Sequence, residues 1–461
     1  MSTVTAHDSA SPTANRLYFA AWRWHFYAGL YVIPFLLMLA VTGLIMLWVS
    51  SVTELNRERA HITPGTTLLP VSALQAAAEA AVPGGAATQY IAPMGEGRVA
   101  AFAVAVGEDT TGVTLDPYTG AVVETFPWRA GWYDFATDIH GTLLIGDLGD
   151  WLIEAAASLG LLLVISGLYL HWPRNGATWG KALTVQRGKG RAFWKSLHGA
   201  VGVWVSLILI VFLISGLSWA GLWGAKFVQA WNTFPADKWE APLSDATHAS
   251  MNHGAGKEVP WTLEQTPMPA SGSLSGTVAV TGPVTIDSVM DLAATLGFDR
   301  RYQLNLPAGE TGVWTISHDS MSNDGPNSAA DRTIHIDQYT GNVLADVRYA
   351  DYSFYAKLMA WGIAFHEGDL GAWNLALNTL FCLSIILVSV SGLVMSVKRR
   401  PAGARLGAPP RPVDIPYAKG AILVTLALAL AFPMLGLTLL AVILLDLVIL
   451  SAVPPLKRLV S

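Results

Sequence analysis

A single cysteine, Cys382, stands among 461 residues, and it lies inside a long apolar run. One thiol excludes an internal disulfide, a thiolate metal site and a Cys-x-x-Cys-His haem attachment, so any domain outside a membrane rests on ordinary packing. Charge is also scarce: Asp, Glu, Lys and Arg make up 13% of the chain against 52% hydrophobic residues. The 33 acidic and 28 basic side chains leave a formal net charge of −5, with nothing that suggests nucleic acid. No glycine-rich nucleotide loop is present, and the basic connections are too short to build a nicotinamide or flavin domain. Electrons for any redox chemistry would come from a separate donor or from membrane quinol.

What the chain has in quantity is uncharged, membrane-length sequence. About 20 apolar residues cross a bilayer as a helix. Spans are predicted at 21–50, 150–172, 194–224 and 373–397. The first is too long for a signal peptide and ends in no small-residue cleavage site. A last tract, 419–455, is too long for one crossing and breaks at Phe432-Pro433 and Gly436, so it reads as a hairpin of two further helices, six in all. Basic residues set the orientation. Arg174, Lys181, Arg187, Lys189, Arg191 and Lys195 crowd 173–193, Lys398, Arg399, Arg400, Arg405 and Arg411 crowd 398–418, and Lys457-Arg458 lie in 456–461. These segments and the tail 1–20, with Arg16, are predicted to be cytoplasmic. The long connections 51–149 and 225–372 then lie on the opposite side.

The two halves repeat each other. His25 is followed by Gly29 and then by Thr42-Gly43-Leu44; His198 is followed at the same intervals by Gly202 and Ser215-Gly216-Leu217. His140 precedes the glycine of Ser166-Gly167-Leu168 by 27 residues, and His366 precedes that of Ser391-Gly392-Leu393 by 26. Both copies start on the same side, so the repeats are parallel, related by an axis along the membrane normal. Equivalent histidines then meet, His25 with His198 toward the cytoplasm and His140 with His366 toward the outside.

Each outer connection also carries one copy of a small α+β module. Val71–Ala81 and Ile286–Leu296 read as helices, and Ala100–Val106, Gly112–Asp116, Val313–Ser317 and Thr333–Asp337 as strands. Asp116-Pro117-Tyr118-Thr119-Gly120 and Asp337-Gln338-Tyr339-Thr340-Gly341 make matching turns, since Asp bonds locally to backbone and Gly accepts positive φ. An unrepeated insertion, near Gln229–Gly282, holds His248, Met251 and His253. Their spacing puts the two histidines on different helical faces, and a structural loop is the better reading than a metal site.

A lone histidine at a membrane interface is usually an anchor. Two duplicated pairs are different, because both coincidences of position would have to be accidental. Facing histidines suit the two axial positions of haem, and filling both leaves iron no vacancy for oxygen, which favours electron transfer. The expectation is two bis-histidine b-type haems in a four-helix bundle, with His25, His198, His140 and His366 as the iron ligands. Haem carboxylates would want cations, and Arg23 and Lys195 lie near the inner pair in sequence, Arg129, Arg348 and Lys357 near the outer. Trp24, Trp194, Trp132 and Trp361 are candidates to pack on the macrocycle. Asp446 and Glu154 are acids within apolar helices, expected to make local bundle contacts.

Trp24-His25 with Gly29, the Asp-x-Tyr-Thr-Gly turns, His140-Gly141-Thr142-Leu143-Leu144, Trp172-Pro173-Arg174 and His366-Glu367-Gly368 together resemble the PepSY-associated transmembrane family of bacterial inner-membrane proteins. The resemblance covers about residues 15–400 and is greatest to the ferrisiderophore reductases. It implies periplasmic PepSY domains, b-type haems in the membrane and reduction of ferric siderophores, which releases Fe(II). One departure is His171, where the family pattern has tryptophan. Two other readings stay open: a ferric-siderophore permease coupled through Asp446 or Glu154, and a non-enzymatic regulator that binds a partner through its PepSY domains.

Overall fold

The computed structural model describes residues 12–52, 57–174, 176–253, 257–319, 321, 324–400, 409 and 419–444. The chain runs through α1 (Pro12–Val52), α2 (Val71–Ala81), β1 (Ala86–Ile91), β2 (Ala100–Val106), β3 (Asp109–Leu115), β4 (Val122–Pro127), α3 (Trp132–Thr142), α4 (Asp147–His171), α5 (Trp179–Ala182) and α6 (Gly190–Leu217). It continues with β5 (Leu243–Thr247), β6 (Pro267–Pro269), β7 (Thr277–Val278), α7 (Ile286–Thr295), β8 (Gln303–Asn305), β9 (Val313–His318), β10 (Arg332–Asp337), β11 (Asn342–Arg348), α8 (Phe354–Glu367), α9 (Ala372–Arg399), α10 (Lys419–Ala431) and α11 (Pro433–Leu444).

Four helices among the described residues, α1, α4, α6 and α9, are long and apolar enough to cross a membrane. Among the described residues α10 and α11, of 13 and 12 residues, are shorter apolar helices, and the predicted hairpin's end at 455 lies outside those residues. The break between them falls where proline, which has no N–H to give, opens α11. Asp446 lies outside the described residues.

By contacts the chain divides into two compact units. One comprises 1–41, 141–226 and 380–461. Here α4 packs on α6 through small residues: Ala157 with Leu213 and Leu217, and Gly160 against the Leu213 side chain. Leu435 of α11 is fully buried against Ala28, Val32 and Leu159. α6 ends at Leu217, earlier than predicted. The backbone beyond it turns, and its N–H groups donate to acids of α4: Gly221 to Asp150 Oδ2 at 2.9 Å, Leu222 and Trp223 to the Glu154 carboxylate at 3.1 Å. Backbone donors in an apolar setting need partners, and Glu154 is one.

The second unit, 42–140 and 227–379, holds one nine-stranded antiparallel sheet in the order β4-β3-β2-β1-β8-β9-β10-β11-β7. The sequence predicts one module in each outer connection, and the two copies join through β1 and β8. Either module alone would leave one of these strands as an open edge, and pairing satisfies both. The join is symmetric: Tyr90 faces Leu304, Gln89 faces Asn305 and Ile91 faces Gln303. α2 and α7 lie side by side on one face over a shared core that includes Leu74, Phe102, Val289, Ile316 and Ile334. The predicted turns are present. Asp116 Oδ1 accepts from Tyr118 N and Asp337 Oδ1 from Tyr339 N, each at 2.8 Å, while Gly120 and Gly341 take φ of 73° and 69°. The insertion covers the sheet's other face, where Met251 and Met268 pack with Val313 and Leu344.

Candidate functional site: two opposed histidine pairs

Within the first unit, His25 of α1 faces His198 of α6, with ring centroids 6.4 Å apart and planes at 88°. Within the second, His140 of α3 faces His366 of α8 at 6.5 Å and 86°. Equivalent residues of the two repeats therefore meet, as the duplication predicts. His140 and His366 each sit in the last turn of a short helix. α8 is bounded by Ser353, whose hydroxyl accepts from Ala356 N, and by Gly368 at φ 92°, whose N–H donates to Ala364 O.

Three of the Nδ1 atoms meet hydroxyls of other helices. His25 Nδ1 lies 2.9 Å from Ser166 Oγ, His198 Nδ1 3.0 Å from Ser391 Oγ and His140 Nδ1 2.8 Å from Thr42 Oγ1. These hydroxyls open the Thr/Ser-Gly-Leu triplets that mark the repeat. The triplets' role escaped the sequence reading, although their recurrence was the available signal. Their glycines matter too: a Cβ on Gly167 would stand 3.2 Å from the His25 ring, and one on Gly392 3.4 Å from that of His198.

Does this arrangement fit haem? Two iron–nitrogen bonds of about 2 Å plus the distance of roughly 1.2 Å from each ring nitrogen to its centroid put axial imidazole centroids about 6.4 Å apart. Both pairs have that separation. One turn beyond His25 and His198, a Cβ on Gly29 or Gly202 would meet nothing within 4 Å. The rings border a cavity of about 460 Å³, within the range of small-molecule and cofactor sites. Arg191, Lys195 and Arg399 line it, and among the described residues no Asp or Glu does. The residues present fit the group.

Most of the expected satellite residues are engaged elsewhere. Arg23 donates to Pro409 O at 2.7 Å, and Arg129 pairs with buried Glu258 at 2.8 Å. Arg348 pairs with Asp346 at 2.7 Å, and Lys357 donates to Ala350 O. Trp22, not Trp24 or Trp194, borders the inner cavity, and Arg399 lies 5.0 Å from its ring centroid. Trp132 is 71% exposed. Arg191 and Arg399 were visible in sequence only as topology signals.

Burial pushes His140 down to about 4 and His366 to about 3, His140 adding to the second shift. Both are neutral, as iron ligands must be. Beside them burial holds the Glu367 carboxyl well above the usual range and lifts Asp369 to about 7.

Four of the remaining histidines have partners of their own. His171 also lines the inner cavity, where its Nε2 donates to Ala182 O at 2.8 Å and its ring lies over Gly199. His248, Met251 and His253 do not converge. His248 Nε2 meets His335 Nε2 at 2.9 Å, both fully buried, and His253 Nδ1 lies 3.2 Å from Glu258. Sequence reading missed His335, which shares a sheet face with Thr333 and Asp337 by strand alternation.

The chain matches the family described as the PepSY-associated TM region over residues 22–399. It belongs to that family. This membrane assignment agrees with the four long apolar helices among the described residues. No curated protein matches the chain.

Proposed function

We propose that this PepSY-associated transmembrane protein binds two b-type haems, one between His25 and His198 and one between His140 and His366, and conducts electrons across the bacterial inner membrane to a periplasmic ferric siderophore. The observation that carries the reading is the opposed, duplicated pairs with centroids 6.4 and 6.5 Å apart. Haem so held supplies reversible one-electron transfer. The chain's own residues would do the rest: the four histidines would hold the two haems, the apolar helices would exclude water, and Arg191, Lys195 and Arg399 would offer charge to the inner haem's carboxylates. Attachment is non-covalent, because the one cysteine allows no thioether pair. Hard oxygen donors hold Fe(III) far better than Fe(II), so reduction loosens the complex. The basic loops favour cytoplasmic termini, with both long connections in the periplasm.

The permease reading loses weight because Glu154, one of its coupling candidates, is bonded to backbone N–H groups. Purified protein is expected to give two haems per chain by pyridine haemochrome. Dithionite-reduced protein should be reoxidised by a ferric hydroxamate while a ferrous chelator captures the iron. A haem-free preparation, or reoxidation without ferrous iron, would overturn the reading.

A further inference from the structure

We propose that Ser166 and Ser391 are positioning residues that fix the tautomer and ring plane of the inner histidines, and that Thr42 does the same for His140; the inference rests on the haem reading above. The argument begins with a proton count. A serine hydroxyl has one proton. Ser166 Oγ spends it on its own helix, 2.8 Å from Leu162 O, and Ser391 Oγ does so 2.7 Å from Val388 O. Only lone pairs then remain for the histidines at 2.9 and 3.0 Å, so each imidazole must donate from Nδ1. Val388 O, 3.0 Å from His198 Nδ1, imposes the same polarity, because a carbonyl can only accept. A neutral imidazole with its proton on Nδ1 has its free pair on Nε2, the nitrogen left for a metal.

The hydroxyl and the histidine never share a helix. Ser166 of α4 holds His25 of α1, Ser391 of α9 holds His198 of α6, and Thr42 of α1 holds His140 of α3. Each ring plane is thus set by a neighbouring helix, and the glycine next to each serine lets the ring lie close against that helix. The result is the near-perpendicular pairing of 88°. Perpendicular axial planes give low-spin ferric haem a highly anisotropic electron paramagnetic resonance signal, and freely turning rings relax it toward an ordinary rhombic one. A hydrogen-bonded Nδ1–H also makes imidazole a stronger donor to Fe(III), so removing its acceptor raises the midpoint potential.

The test uses the full-length holoprotein, with spectra and potentiometric titrations of Ser166→Ala, Ser391→Ala and Thr42→Val. Ser166→Ala should turn the inner haem's signal rhombic and raise its midpoint, leaving the outer haem unchanged; Ser391→Ala should do so less, because Val388 O still accepts from His198 Nδ1; Thr42→Val should change the outer haem alone. Ser166→Thr, which keeps the hydroxyl, should restore the wild-type signal. Ser158→Ala, which removes a buried hydroxyl of α4 that has no hydrogen-bond partner among the described residues, should change neither haem. Loss of the inner haem in Ser166→Ala but not in Ser166→Thr also supports the inference; loss in both overturns it. Unchanged signals and midpoints in both alanine variants, with two haems retained, overturn it and leave the haem reading standing. A wild-type protein without haem overturns both.

Discussion

Gln89 donates its side-chain N–H to the Gln303 carbonyl oxygen at 2.8 Å, and both are buried. They hold equivalent places in the two repeats, one on β1 and one on β8, so a residue meets its own counterpart. Glutamine suits such a place because one side chain carries both donor and acceptor. His25 with His198 and His140 with His366 are two further meetings of like with like.

Replacing Gln89 by leucine should cost about 1–3 kcal/mol, because the Gln303 amide is left buried without its partner. The denaturation midpoint measures it. The double change Gln89→Leu, Gln303→Leu should recover part of the loss, as removing both polar groups costs less than orphaning one.

Alanine at either member of a histidine pair should lose the same haem or make it high-spin. His25→Ala and His198→Ala should therefore give one difference spectrum, and His140→Ala and His366→Ala another. His171→Ala should leave both haems nearly intact, since its Nε2 is bonded to Ala182 O. An inner haem abolished by His171→Ala and spared by His25→Ala would contradict the assignment.

Gly199 is the place where His171 lies against α6, and a Cβ there would run into the imidazole. Gly199→Ala should destabilise the protein by about 1–3 kcal/mol, the usual cost of overpacking. Adding His171→Ala should relieve the strain, raising the thermal midpoint again.

Acidification should weaken the sheet-bearing unit through His248 and His335. Burial lowers His248 to about 4, and burial with His248 alongside lowers His335 further. The unfolded chain takes up these protons near pH 6.5 and the folded one does not, so stability falls as pH drops from about 6.5 toward 4. For His248 alone the loss is on the order of 3 kcal/mol. Thermal midpoints across that range should fall less steeply in His248→Gln.

The long apolar runs and the Asp-x-Tyr-Thr-Gly turns were legible because each is a local pattern: an uninterrupted stretch, or a side chain bonding two residues on. The histidine pairs were legible because duplication converts a spacing into a contact. β1 and β8 were not. β8 is three residues long, too short to show alternation, and the fusion it makes depends on a partner more than two hundred residues away. The His248–His335 contact was hidden for the same reason. The division of the last apolar tract was legible because Pro433 breaks it, and the structure has α10 end at Ala431 and α11 open at Pro433.

The β1–β8 join has the register of an interface between two copies of one subunit: Gln89 opposes Asn305 as Ile91 opposes Gln303. A half-length chain would offer β1 as an adhesive edge and could close it only by finding a twin. Carrying both copies in one polypeptide makes that union independent of concentration. It also frees the halves from identity, which a homodimer could never escape. His171 has a serine, Ser396, as its counterpart, and the segment around His248 has none at all. Tethering turns a symmetric assembly into one whose two sides can specialise.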